Sequence, residues 1–273
     1  MNKFFLIFIP VILVLLVAAT TKKTHTKKTC KKRTAKLSTL SKNGITLTEL
    51  YSPENFSDAS IKQNIVSTAE DLDSNKITIE YTVANYELGK QTSTTDMKSC
   101  ANSAKGQHIH NIIDNQPYTA IYEPVKTVKT NTEGQHIILS FLSRSYHESI
   151  KHKNAFVLST AITGKGRYAA RYSKPDLSKP MLFFSRPKGE YSGSETDAVL
   201  LDFFLVNCDL SRTGFTVLAE INGNLFKLTK WSAFFMEGLP LGENTVKLSL
   251  LDIDGKVVNS PYSVSERKFT LKN

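Results

Sequence analysis

The chain has 273 residues and a formal net charge of +10, with 40% hydrophobic and 10% aromatic residues. That composition can fill real cores, which excludes wholesale disorder, and three cysteines exclude a disulfide scaffold or a four-cysteine zinc cage. The charge is not spread evenly: nine of the 35 basic residues lie before residue 37 with no acid among them, leaving 26 basic against 25 acidic residues in the body.

Phe4 to Ala19 is almost unbroken apolar sequence, preceded by Lys3 and interrupted only by Pro10. At 1.5 Å per residue it makes about 24 Å of helix, short of the ~30 Å hydrocarbon core of a bilayer. Residues 1–19 therefore read as a secretory signal peptide, with an uncleaved membrane anchor as the alternative. Eight basic residues follow the run and only Lys3 precedes it, a bias that by itself favours retention of the tail in the cytoplasm. Residues 20–43, rich in Thr and Lys, read as a disordered tether able to touch an anionic membrane surface.

Short β-type runs then follow one another, separated by turns. Ile77–Tyr86, Gly106–Asp114, Gly134–Leu142 and Ala155–Ala161 are expected strands in the first half of the body. Ala198–Asn207, Gly214–Asn222, Thr245–Leu251 and Arg267–Lys272 are their counterparts in the second. Asp114-Asn115, Asn222-Gly223 and Asp254-Gly255 are hairpin-type turn signals.

The two halves also match each other in order. VANYEL at Val83 recurs as LVNCDL at Leu205, IDNQPY at Ile113 as INGNLF at Ile221, and LSFL at Leu139 as LSLL at Leu248. A looser match pairs Ser52–Ala59 with Arg186–Gly193. The expected fold is all-β: two tandem immunoglobulin-like sandwiches after the N-terminal segment and basic linker. The boundaries are 44–172 for the first domain, 173–180 for a linker holding two prolines, and 181–273 for the second.

Between its first two matched strands the first domain is 14 residues longer than the second, and the excess lies in the polar loop Leu88–Gln107, which contains Cys100. With the matched strands labelled B, C, F and G, this BC loop and the FG segment Ser143–Asn154 lie at one end of the sandwich. Loops on a rigid scaffold are where binding sites concentrate. Arg144, Tyr146, His147 and Glu148 are therefore candidate partner-binding residues, with His152 beside them. His108 and His110 open strand C, on one face by alternation, and His-x-His on a strand with a distant His147 is a ligand set for copper or zinc. His136 belongs toward the other end of the sandwich. Cys100 is the obvious extra ligand.

Other chemistry is thin. No nucleophile elbow, phosphate-binding glycine loop or HExxH helix is present. Asp252 and Asp254 read as turn residues, Asp71 and Asp73 lack companion oxygens for calcium, and Trp231 reads as core or domain interface.

GQHIHNIIDNQPYTAIYEP followed by EGQHIILSFLSRSYHESIK resembles a family of exported bacterial proteins with two sandwich domains, some of them labelled phosphopeptide-binding. In that resemblance Ser143, Arg144 and His147 stand for the Ser-Arg-x-His segment of forkhead-associated domains, here with one residue more before the histidine. It implies an anionic peptide ligand gripped by Arg144.

The function expected is a non-enzymatic, extracytoplasmic envelope protein that needs no cofactor and presents its BC and FG loops to a protein, peptide or anionic partner. The alternative is a periplasmic protein binding copper or zinc through His108, His110 and His147. A cytoplasmic nucleic-acid binder is disfavoured, because the near-neutral body offers no basic groove to continue the charge of the tail.

Overall fold

In KITIEYTVA, Lys76–Ala84, apolar and polar residues alternate, and the chain obeys the pattern: Ile77, Ile79 and Tyr81 are buried while Lys76, Glu80 and Thr82 are exposed. The computed structural model describes residues 37–52, 55–93, 100–166 and 174–273. The expected signal or anchor segment and the tether up to residue 36 lie outside the described residues, as do 94–99 of the BC loop and 167–173.

The described chain opens with a hairpin, β1 (Thr39–Lys42) and β2 (Ile45–Glu49). Then come β3 (Ser60–Ile65), a short helix α1 (Ala69–Asp73), β4 (Lys76–Ala84), β5 (His108–Ile113), β6 (Thr119–Ile121), β7 (Val125–Lys129), β8 (Gly134–Ser143) and β9 (Phe156–Thr163). The second half supplies β10 (Met181–Arg186), β11 (Gly189–Ser192), β12 (Val199–Val206), β13 (Thr216–Ile221), β14 (Asn224–Leu228), β15 (Phe234–Glu237), β16 (Gly242–Leu251) and β17 (Val264–Lys272). Among the described residues no helix is long and apolar enough to cross a membrane.

Each half makes a three-stranded antiparallel sheet and a four-stranded one. In the first, β3-β4-β7 faces β6-β5-β8-β9; in the second, β10-β12-β15 faces β14-β13-β16-β17, with β11 added parallel to β17. Both are immunoglobulin-like sandwiches of one topology. The internal repeat extends to local backbone: Asn85 and Asn207 follow equivalent strands with φ 55° and 57°, the left-handed conformation that Asn tolerates better than most residues.

Two boundaries differ from expectation. Thr39–Lys42 belongs to a strand rather than to the tether, because Asn43-Gly44 takes positive φ at both positions and closes a two-residue hairpin. Ile45–Glu49, expected in the first domain, is hydrogen-bonded to β15 of the second. The first sandwich is thus threaded between the opening hairpin and the rest of the second, and residues 37–273 form one compact unit.

Two apolar cores lie inside the sandwiches and a third lies between them. Ile77, Ile79, Ile109 and Leu142 fill the first; Leu201, Phe203, Val217 and Leu248 fill the second. The third joins Ile112, Leu139 and Phe141 to Met181, Phe183 and Phe204. Strands β5, β8, β10 and β12 are consequently covered on both faces, so nearly every residue along them is buried. The amide of Asn115 extends the seam, donating to the Leu182 carbonyl at 3.1 Å and accepting from the Phe184 N–H at 2.9 Å. Trp231 sits at the same seam, its indole donating to the Phe203 carbonyl at 3.0 Å and its ring meeting Phe204 edge-on.

Candidate metal centre

His108 and His110 stand on the face of β5 that also carries Ile112, the face turned toward the second sandwich. Both are wholly buried, at 0% exposure, and His147 is 9% exposed. His147 arrives from a tight loop between β8 and β9, in which its N–H bonds to the Arg144 carbonyl and the Arg144 N–H bonds to the Glu148 carbonyl. Its φ of +70° is uncommon for a bulky residue, and the loop's hydrogen bonds hold it there.

The three rings converge. The Nε2 atoms of His108 and His110 lie 2.9 Å apart, and His108 Nε2 lies 3.1 Å from His147 Nδ1. All three ligand atoms fall within 4.8 Å of one another. An ion bonded at about 2.0–2.1 Å to three such atoms would set them about 3.5 Å apart, so the shorter pairs need open by only about half an ångström.

Each ring is held by a further partner. His108 Nδ1 donates to the Gly106 carbonyl at 2.8 Å, leaving Nε2 as a lone pair aimed at the other two rings. His110 Nδ1 meets the hydroxyl of Ser185, on β10 of the second sandwich, at 3.1 Å. Tyr118 stacks on His110 with centroids 3.5 Å apart, and its hydroxyl is 3.2 Å from His147 Nδ1. A hydroxyl can donate or accept, so Ser185 suits either tautomer of His110.

Burial pushes all three imidazoles toward the neutral form, reinforced by the charges of Arg186 and Lys188. His108 falls to about 4, and His110 and His147 also lie well below the usual histidine range. Neutral imidazole is the ligand form.

The residues expected to face a partner are largely covered, and Arg144, Glu148 and His152 line a cleft with Ser52 and Lys151. Arg144, Tyr146 and Glu148 are buried with His147. Arg144 pairs with Glu148 at 3.4 Å and lies over the Phe56 ring, and the Tyr146 hydroxyl bonds to Ser52. The segment carrying Ser52 and Phe56 covers them, and the inserted BC loop folds onto Ser145 of the same FG loop. Thr92 and Ser145 exchange two backbone-to-hydroxyl bonds at 3.2 and 3.1 Å, and the Ser103 N–H bonds to the Ser145 carbonyl. His152 bonds to the Phe56 carbonyl away from the cluster.

Cys100 does not join the histidines. It packs against Ala198, Leu200, Ala233 and Phe235, and burial pushes its thiol up to about 11. Asp71 is the reciprocal partner of Thr68 in a helix-capping box. His136 lies between Asp114 at 2.6 Å and Thr163 at 2.9 Å. That triad has the connectivity of an acid–histidine–hydroxyl relay, but Thr163 is fully buried and its hydroxyl also contacts Thr130 and the Thr132 carbonyl. No attacking group is presented to substrate. Tyr118, Ser185, Arg186 and Lys188 border the histidines without any motif to announce them. The one available signal is the apolar run MLFF, of the kind covered on both faces, with Ser185 directly after it.

No family model matches the chain, and no curated protein matches it. Among solved structures, the fibronectin(III)-like modules of Clostridium thermocellum CbhA are 12% identical, cover 77% of this chain and 94% of their own, and give a TM-score of 0.27. The central fibronectin-III array of RIM-binding protein is 9% identical over 79% of this chain and 69% of its own, with a TM-score of 0.23. The receptor tyrosine kinase Torso is 13% identical over 81% of this chain and 77% of its own, with a TM-score of 0.22.

Proposed function

We propose that the chain is a non-enzymatic, extracytoplasmic binding protein whose ligand is a transition-metal ion, copper or zinc, held by His108, His110 and His147. What supports the reading is the convergence of three buried imidazole nitrogens within 4.8 Å, with the lone pair of His108 directed inward by the Gly106 carbonyl. Three neutral nitrogens of borderline softness suit copper or zinc and ill suit calcium or magnesium, which take oxygen ligands. The apolar N-terminal run and the resemblance to exported two-sandwich proteins support an extracytoplasmic site of action.

Titration of the full-length chain with each ion, alongside the variant carrying His108→Ala, His110→Ala and His147→Ala, tests the reading. The tail keeps His25 and Cys30 in both proteins, so the difference between them isolates the cluster. One equivalent taken up by the wild type and missing from a folded triple variant is the expected result. Equal uptake by the two proteins removes the metal reading. N-terminal sequencing of fractionated protein checks the location: a mature chain lacking residues 1–19 outside the cytoplasm is expected.

A further inference from the structure

Resting on that metal reading, we infer that the ion taken by His108, His110 and His147 is monovalent copper, bound in three-coordinate form, rather than a divalent ion. Charge is the first argument. Among the described residues, no carboxylate or thiol joins the three imidazoles in the metal-competent group, so the ligands bring no negative charge.

The neighbours bring positive charge. Lys188 Nζ donates to the Tyr118 carbonyl at 2.7 Å and lies 4.0 Å from the centre of the Tyr118 ring. The buried Arg186 guanidinium lies 5.5 Å from the same ring and donates to the Tyr191 hydroxyl at 3.0 Å. That ring stacks at 3.5 Å on His110. Two cations, a buried Arg186 and a half-buried Lys188, therefore stand one aromatic ring away from the ligands. A divalent ion would meet twice the repulsion a monovalent one meets, with no ligand charge to offset it.

Coordination number is the second argument. Zinc in closed sites takes four protein ligands, and copper(II) favours a tetragonal set of at least four. Here three nitrogens converge, and two of the three rings are wholly buried. The Tyr118 hydroxyl lies 3.2 Å from His147 Nδ1, to which it is hydrogen-bonded. Copper(I), with a filled d shell, is satisfied by two or three nitrogen donors. The ion binds and leaves in one oxidation state, so the chain transfers no electron.

The test uses the full-length chain under anaerobic conditions, with copper(I) competed against bicinchoninate and zinc competed against a chromogenic chelator. The expected result is one copper(I) per chain, dependent on the three histidines and held about 100-fold more tightly than zinc. X-ray absorption of the copper-loaded wild type should show three nitrogen neighbours, and this arm does not depend on the triple variant folding. Lys188→Glu replaces one cation with an anion and should strengthen zinc about tenfold or more while changing copper(I) much less. Histidine-dependent zinc binding as tight as copper(I), or four neighbours around copper, overturns this inference and leaves the metal reading standing. Two ions that both ignore the histidines remove both.

Discussion

The Nδ1 atom of His108 lies 2.8 Å from the carbonyl oxygen of Gly106, two residues back along the chain, and that contact decides which nitrogen of the ring meets His110 and His147. A carbonyl can only accept, so the proton sits on Nδ1 and the lone pair on Nε2. Gly106 can offer its carbonyl this way because its φ is +82°, and an added Cβ would overlap the Gly89 carbonyl. Gly106→Ala is expected to cost more than about 1 kcal/mol in urea unfolding and to weaken metal uptake in the same protein.

Ser185 reaches His110 from the other sandwich. Ser185→Ala removes one hydrogen bond and no charge, so stability should fall by only about 1 kcal/mol. Metal affinity should fall about 10- to 100-fold, because the ring loses the contact that fixes its orientation. Competition titration read beside thermal melting separates the two effects; equal affinity in both proteins would deny Ser185 its positioning role.

Asp202, fully buried on β12, binds Lys151 Nζ at 2.6 Å and the Ser149 hydroxyl at 2.9 Å, tying the FG loop of one sandwich to a strand of the other. Asp202→Ala leaves the ammonium in a nearly closed site. A loss of about 3–5 kcal/mol is expected in denaturant titration, and because His147 rides on the same loop, copper uptake should drop as well.

Phe204 stacks on Phe141 at 4.6 Å across the seam and also meets Phe156 and Trp231. Phe204→Ala should cost about 3–5 kcal/mol. The loss falls on the contact between sandwiches, so differential scanning calorimetry should resolve one unfolding transition of the wild type into two in the variant.

Glu49 on β2 supplies the pH dependence. Burial alone would raise its pKa, but donors on Ser38, Ser232 and Lys230 outweigh burial and hold it at about 2. The folded value lies below the unfolded one, so this stabilisation is complete above about pH 4.5 and is lost as the pH falls toward 2. Glu49→Gln should be less stable than wild type at pH 6 by about 1 kcal/mol once solvent screening is allowed for, with the difference gone near pH 2.

Much of the fold is written locally. ITIEYTVANY alternates at a period of two and becomes β4, and AVLLDFFLVN, apolar but for Asp202 and Asn207, becomes β12. The convergence of His108 with His110 also follows from that period, and a short FG loop brings His147 to the same end. What local pattern does not carry is the covering of one sandwich by the other. The seam seals the outward face of β5 and buries the histidines on it. It is built by residues such as Phe141 and Phe204, whose sequence neighbours give no sign of their partner. Asn43-Gly44 is a hairpin signal that the expected tether overran, and nothing local marks the hairpin's destination on β15.

That destination sets an order of assembly. Thr48 on β2 and Glu237 on β15 are hydrogen-bonded across 189 positions of sequence, and the whole first sandwich is synthesised between them. At a translation rate of about 5–20 residues per second, the hairpin waits on the order of 10–40 s for its neighbour to leave the ribosome. During that interval the first sandwich can close around its own core, while the face of β5 that carries the histidines waits for β10 and β12. The metal centre is therefore finished only when β10 and β12 of the second sandwich come to cover it.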